Sequence, residues 1–331
     1  MQIFPAQYST LSAIALQDFL SKQYRLGEIS CKLLMHNVSD TYLIRGHDQQ
    51  FIFKIYRDAH RKADEIRAEV ELLTILKNKK VSVAYPIANV EGEMLQAFNA
   101  VEGTRYGVLF TFAEGAPVYS LNDQQLQLLG KEMAKLHEVT KDIELQFPRK
   151  PFDLETIFHS PLRIVKPAFE EISETYGELA EMINQVVQKL QTIDFTSFSY
   201  GYCQYDFLPK NFHFVGNEKL TFFDFDFAGQ GYFVNDIASF YVHYFIEVAL
   251  GKLTKEEANR QFMVFVEAYR TLRPLSNEEL ATVPYFGFGF WVFYLGFQYE
   301  NYDDWSSTFF NTRFLKDRVG LLKKWMKEEI E

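Results

Sequence analysis

Few local folds suit the stretch Tyr205 to Gly229, YDFLPKNFHFVGNEKLTFFDFDFAG. The chain is apolar from Asn211 to Val215, signals a turn at Gly216 and Asn217, and is apolar again from Leu220 to Phe223, which predicts a β-hairpin. Polar residues bracket it, with Asp206 and Asn211 at its entry and Asp224 and Asp226 at its exit. Closing the hairpin brings these oxygens together. Phosphoryl transfer asks a protein for one carboxylate to orient and deprotonate the acceptor hydroxyl, and for oxygen ligands to hold Mg²⁺ on the phosphates. Asp206 suits the first task, Asn211 and Asp224 the second, and Asp226 either assists the metal or shapes the acceptor side. The bland alternative makes Asp206 and Asp224 turn residues that cap their own backbone.

Asp206 and Asn211 have the D-x-x-x-x-N spacing of a kinase catalytic loop, and Asp224-Phe225-Asp226 closes an apolar strand where a metal-binding Asp-Phe-Gly would stand. These residues resemble the aminoglycoside phosphotransferase and choline kinase superfamily, whose members carry H-G-D-x-x-x-x-N, then a hairpin and I-D-[FWL]-[DE]. The corresponding runs here are Gln204-Tyr205-Asp206-Phe207-Leu208-Pro209-Lys210-Asn211 and Phe223-Asp224-Phe225-Asp226. The resemblance extends through Gly229 and Gly231, similar to the family's glycine turn, and through Asn235-Asp236-Ile237-Ala238, similar to its Y-D-L-A helix start. Gln204 stands where the family usually has a His that clasps the loop, and Gln can still donate and accept hydrogen bonds. The resemblance implies a protein-kinase-like α+β fold of two lobes, a small antiparallel-sheet lobe with one main helix and a mostly helical large lobe. It also implies ATP as co-substrate, Mg²⁺, and transfer of the γ-phosphoryl group to a hydroxyl of an aminoglycoside-, choline- or homoserine-like small molecule. A competing expectation follows from Gln204 and the missing glycine loop: a catalytically silent kinase-like protein that binds a nucleotide or metabolite.

At 331 residues the chain exceeds the size at which a single core usually stops growing, so two lobes with a cleft are expected. The net charge of −10 argues against a nucleic-acid surface and favours cationic small partners. Only Cys31 and Cys203 are present, too few for a disulfide framework or a zinc site, which suits a reducing cytoplasm. The first residues lack a basic n-region and include Asp18, so they read as an amphipathic helix on the first lobe rather than a signal peptide. Tyr285 to Phe297 is apolar but shorter than the ~20 residues a membrane span needs, and it contains Gly287, Gly289 and Gly296. A buried helix is expected there, and no membrane partner.

Short apolar and aromatic segments at Ile29 to Met35, Tyr42 to Arg45 and Gln50 to Tyr56 predict an antiparallel sheet. Ile66, Val70, Leu73 and Leu76 recur at helical spacing within Arg61 to Lys77, and Gly107 to Phe112 predicts a further strand. After Glu114-Gly115 the pattern turns helical, placing a nucleotide-binding lobe over 1–112 and a catalytic and substrate lobe over 113–331. Asn122 with Gln125 predicts a capped helix through His137, burying Leu126, Leu129, Met133 and Leu136, and [ST]-x-x-E signals further helix starts at Thr254 and Ser276. Asp236 is expected as an N-cap, to which the resemblance adds bracing of the catalytic loop. His137 reads as a satisfied core histidine.

Lys54, in the strand Phe51-Ile52-Phe53-Lys54-Ile55-Tyr56, must reach the surface as an edge-strand residue or meet an anion. By resemblance it contacts the α- and β-phosphates, while Ile52, on the same face by the two-residue period, roofs the adenine. Glu69 is the expected ion-pair partner, with Glu65 and Glu71 as competitors. No G-x-G-x-x-G precedes this strand. The turn His36 to Thr41 would offer backbone N–H groups and the Ser39 and Thr41 hydroxyls to phosphate. Tyr299, Glu300, Asp303, Asp304 and Trp305 interleave acidic groups with aromatic faces, which suits a cationic acceptor through ion pairing and cation–π attraction. A solvated acidic loop is the competing reading.

Overall fold

The computed structural model describes residues 6, 8–57, 60–147, 149–302 and 309–331. The chain divides into two compact units, 1–113 with 145–148, and 114–144 with 149–331. The first unit holds helix α1 (Ala13–Gln23), strands β1 (Ser30–His36), β2 (Ser39–Arg45) and β3 (Gln50–Tyr56), helix α2 (Ala63–Asn78), and strands β4 (Pro86–Ile87), β5 (Leu95–Ala100) and β6 (Gly103–Thr111). Its sheet runs β1-β2-β3-β6-β4, with β5 also paired to β6, and its pairings are antiparallel.

Apolar side chains on one face of this sheet need a cover, and α1 supplies it. Leu16 and Leu20 pack into one cluster with Tyr24, Ile29, Tyr42, Ile44, Phe51, Phe53, Ile55 and Leu109. The expected N-terminal amphipathic helix is thus present, capped by Ser12, whose side chain accepts from the Ala15 N–H. In α2, Ile66, Leu73 and Leu76 turn inward as their spacing predicts, joined by Ala68, Glu69 and Leu72, while Val70 is only half-buried. The β1–β2 turn is tighter than expected. His36 and Asp40 are paired strand residues, so the turn shrinks to Asn37 and Val38. Asp40 is fully buried there, accepting from the Tyr8 hydroxyl at 2.6 Å and Arg105 Nη2 at 3.2 Å, with His36 Nδ1 at 2.7 Å.

The second unit begins with α3 (Asp123–Thr140), α4 (Ser160–Val165) and α5 (Ser173–Gln191), continues through β7 (Tyr200–Cys203), β8 (Phe212–Val215), β9 (Lys219–Phe222) and β10 (Gly229–Tyr232), and ends with α6 (Val234–Ala249), α7 (Lys255–Arg270), α8 (Asn277–Ala281), α9 (Val283–Tyr302) and α10 (Thr312–Trp325). The capping box of α3 forms as its spacing requires: Asn122 Oδ1 accepts from the Gln125 N–H at 3.0 Å and Gln125 Oε1 from the Asn122 N–H at 3.1 Å. Thr254 and Ser276 cap α7 and α8. Gly229 and Gly231, expected in a turn, instead form β10, which pairs with β7. The reason is close approach, since a Cβ at Gly229 would lie 2.4 Å from the Lys150 carbonyl oxygen.

α9 is a buried helix over the expected apolar segment, and among the described residues no helix is long and apolar enough to cross a membrane. Helices α3 and α7 touch through Gly130, where an added Cβ would fall 2.4 Å from the Phe265 carbonyl oxygen and 2.9 Å from the Tyr269 nitrogen. Ala ordinarily favours a helix interior over Gly by about 1 kcal/mol, but backbone cannot yield as a side chain can. Gly130→Ala is therefore expected to destabilise by about 1–3 kcal/mol, read as a lower denaturation midpoint. An unchanged or raised midpoint would show that the two helices can part without loss.

Candidate active site

The predicted hairpin is β8 and β9, paired from Phe212 with Phe222 to Val215 with Lys219. The Phe223 N–H donates to the Asn211 carbonyl at 3.0 Å, so the pairing continues past the strands and holds Asn211 against the residue preceding Asp224. Asn211 is buried, and its Nδ2 donates at 2.8 Å to both the carbonyl and Oδ2 of Asp206. With the amide nitrogen turned to Asp206, the side-chain oxygen faces the other way.

The loop carrying Asp206 is held from beneath by Asp236. This carboxylate accepts from the Gln204 N–H at 3.0 Å and the Tyr205 N–H at 2.6 Å, while His137 Nε2 lies 2.9 Å from it. Helix α6 begins at Val234, so Asp236 sits inside its first turn and reaches back to the loop; it is not the N-cap that sequence suggests. His137 is a satisfied core residue whose Nδ1 is 2.9 Å from the Tyr269 hydroxyl, and burial holds its pKa below the usual histidine range against the pull of Asp236. The Phe207 N–H donates to Ser239 Oγ at 3.0 Å.

Tyr205 and Asp224 both have left-handed backbone, φ 73° and 60°, which costs a residue with a side chain on the order of 1–3 kcal/mol. Tyr205 is secured by Asp236 and by stacking on Phe152, ring centres 3.7 Å apart. Gln204 links the two loops, its Nε2 donating to the Phe223 carbonyl at 2.8 Å and the Asp224 carbonyl at 3.3 Å. A donor is what a clasp at this position needs, and glutamine provides it.

Asp206 is 2% exposed, and burial pushes its carboxyl above the usual range, with Asp224 adding and Lys210 opposing. Lys210 Nζ lies 2.8 Å from Asp206 Oδ2 and 2.9 Å from the Tyr294 hydroxyl, which is itself 3.3 Å from Oδ2. Partial burial works against the Lys210 ammonium, whose side chain is 43% exposed, but Asp206 and Tyr294 outweigh it and hold the proton on. Oδ1 of Asp206 is buried with no hydrogen-bond partner among the described residues. Sequence reading missed Lys210 and Tyr294. Lys210 stands inside the motif, where a cation beside the aspartate was a readable signal, whereas Tyr294 comes from α9 and left none.

Asp224 is exposed, and Asp226, 7% exposed, has its carbonyl held by Arg149, which also donates to the Ala228 carbonyl at 2.5 Å. Two carboxylates and an amide oxygen are hard ligands of the kind Mg²⁺ takes. Among the described residues no group of three or more His, Cys, Asp or Glu gathers as a metal centre.

Within the first unit, Lys54 lies on β3, between β2 and β6, so it is no edge residue, and it is 8% exposed. Its Nζ is 5.0 Å from the centre of the Tyr56 ring, whose hydroxyl donates to Glu69 Oε2 at 3.1 Å. Glu69 is the buried one of the three candidate partners. Glu65 caps α2 through the Lys62 N–H and Glu71 accepts from the Gln146 N–H. Ile52 is half-buried opposite Leu43 and Phe110, Thr41 is half-buried opposite Lys54, and Ser39 is buried opposite Tyr56. In the second unit, Tyr299 packs on Phe310, ring centres 5.7 Å apart, and Glu300 is exposed. Asp303, Asp304 and Trp305 lie outside the described residues.

A model of the phosphotransferase enzyme family matches residues 30–275. An uncharacterized protein of Synechocystis sp. is 29% identical over 276 residues, covering 82% of this chain and 74% of that protein. Amicoumacin kinase of Bacillus subtilis is 25% identical over 224 residues, 65% of this chain and 63% of the kinase. A homoserine kinase of Bradyrhizobium sp. is 24% identical over 282 residues, 84% and 81% of the two chains. In fold the chain is similar to a microcompartment-associated aminopropanol kinase, with a TM-score of 0.77 at 21% identity over 96% of this chain and 98% of that one. It is similar also to an amicoumacin kinase solved with AMP-PNP and Ca²⁺, with a TM-score of 0.72 at 21% identity over 95% and 94%. The chain belongs to the phosphotransferase enzyme family and has the protein-kinase-like α+β fold, a sheet lobe and a helical lobe.

Proposed function

We propose that the protein moves the γ-phosphoryl group of ATP, with Mg²⁺, to a hydroxyl of a small molecule. The observation that carries this reading is Asp206: a buried carboxylate with one oxygen fixed by Asn211, Lys210 and Tyr294 and the other without a partner among the described residues. Oδ1 accepts the acceptor's proton as the hydroxyl oxygen bonds to phosphorus, ADP departs, and a phosphate monoester remains. Burial, which raises the Asp206 pKa, suits the carboxylate to that proton. Lys210 steadies Asp206 and adds positive charge beside the transferring group. Asn211, Asp224 and Asp226 would hold Mg²⁺, which spreads the negative charge of the transition state when bound. Lys54, which shares Tyr56 with Glu69, is assigned to the α- and β-phosphates, Ile52 to the adenine, and Ser39, Thr41 and the backbone of their turn to the remaining phosphate contacts.

Relatives named for amicoumacin, aminopropanol and homoserine support a small hydroxylated acceptor. Tyr299 and Glu300, with Asp303, Asp304 and Trp305, are assigned to an amine on that acceptor. The test is a coupled ADP-release screen over amino alcohols, hydroxy amino acids, sugars and aminoglycosides. We expect one class to release ADP in step with a phosphate monoester seen by ³¹P NMR. If every class is silent while nucleotide still raises Tm, the protein is a kinase-like binder and the transfer reading fails.

A further inference from the structure

Arg318 on α10 differs from three other withdrawn arginines of this fold. Arg105 meets Asp40, Arg273 meets Glu138, and Arg149 meets the carbonyls of Asp226 and Ala228. Arg318 is half-buried, yet it meets no carboxylate and no carbonyl among the described residues. Its contacts are aromatic. The guanidinium carbon lies 4.2 Å from the centre of the Trp291 ring and 5.3 Å from that of Phe314. Two aromatic rings position the guanidinium while leaving its N–H edge unmatched among the described residues. Burial lowers its pKa to about 10, the mark of a cation short of compensating charge.

Its place in the fold is as telling as its lack of a partner. Trp291 and Tyr294 are one turn apart on α9, and the Tyr294 hydroxyl lies 3.3 Å from Asp206 Oδ2. Tyr294 is close enough to Arg318 to pull its pKa up against burial. Trp291 Nε1 is likewise buried with no acceptor among the described residues. Trp291 Nε1 is a buried donor without an acceptor among the described residues, and Arg318 over its ring is a cation without a carboxylate, both on the helices beside the residue assigned to take the acceptor's proton.

We propose that Arg318 binds a carboxylate on the acceptor, so that the phosphorylated molecule is a small hydroxy acid, hydroxy amino acids included. The inference rests on the reading of Asp206 as the proton acceptor, because that reading makes this side of Asp206 the acceptor side. A planar guanidinium held by aromatic faces presents paired donors to both carboxylate oxygens, and a neutral amide cannot replace the second oxygen.

The experiment pairs each acid with its carboxamide, L-homoserine with L-homoserinamide and γ-hydroxybutyrate with γ-hydroxybutyramide. Binding is measured by calorimetry and turnover by ADP release, on the full chain and on Arg318→Gln and Arg318→Lys. Wild type should bind an acid about 10- to 100-fold more tightly than its amide, the range of a charge-assisted hydrogen bond. Arg318→Gln should erase that preference and Arg318→Lys keep part of it, with Tm and ATP affinity unchanged in both. Equal affinity for acid and amide, a preference that survives Arg318→Gln, or no binding of either acid refutes the proposal. Arg318-dependent binding of an acid without ADP release keeps the carboxylate site and refutes phosphoryl transfer. Amides phosphorylated as readily as acids keep transfer and refute the carboxylate site.

Discussion

Asp206→Asn is expected to lower the single-turnover rate of ADP formation by about 10²- to 10⁴-fold, the usual contribution of a positioned base, and to leave nucleotide affinity within a few-fold of wild type. The replacement is nearly isosteric. Its carbonyl can still accept from Asn211 Nδ2, now 2.8 Å from Asp206 Oδ2, so the loop need not move. What it cannot do is take a proton. The amide also leaves Lys210, 2.8 Å from Asp206 Oδ2, without its counter-charge, and that adds to the loss. Rapid-quench measurement of ADP together with a nucleotide titration separates the two effects. Turnover within threefold of wild type would remove Asp206 from the chemistry, whatever its geometry.

A second large effect is expected at a residue assigned no chemical step. Asp236→Ala should destabilise the protein by about 3–5 kcal/mol, because two buried backbone N–H groups and the buried His137 each lose a partner at about 1–3 kcal/mol apiece. Its carboxylate is 0% exposed and receives the N–H groups of Gln204 and Tyr205, with His137 Nε2 at 2.9 Å. Removing it strands these donors in the interior and withdraws the support that keeps Tyr205 left-handed. Asp236→Asn should fall between wild type and alanine, because one oxygen survives. Urea denaturation measures the loss, and folded Asp236→Ala should be far less active than its stability explains, since Asp206 follows Tyr205 directly. A change below about 1 kcal/mol would mean that Phe207, through Ser239, anchors the loop alone.

Much of this fold was legible because its signals are local. The hairpin around Gly216 announced itself by apolar runs on both sides of a turn, and the α3 cap by Asn122 and Gln125 at the required spacing. The twofold period of β3 set Lys54 among apolar neighbours and so made it conspicuous. β7 and β10 escaped notice because Gly201, Gly229 and Gly231 carry a turn's composition; only the crowding of Thr140, Lys150 and Phe152 explains why glycine is required there. The role of Asp236 was half visible. Its position near a helix start predicts a cap, yet the backbone it satisfies lies more than thirty residues earlier in the chain.

The sequence by itself determined that a strand-rich part with one main helix precedes a mostly helical one, the hairpin that joins Asn211 to Asp224, and the residue types able to handle a phosphoryl group. Periodicity and spacing are properties of neighbouring residues and can be read without coordinates. Tertiary structure alone decided which oxygen of Asp206 is tied and which is not, that Tyr294 and Lys210 stand beside it, that Glu69 rather than Glu65 or Glu71 shares Tyr56 with Lys54, and that Arg318 lies between aromatic rings. Those facts depend on burial and on contacts between distant segments, and both arise only when the chain packs.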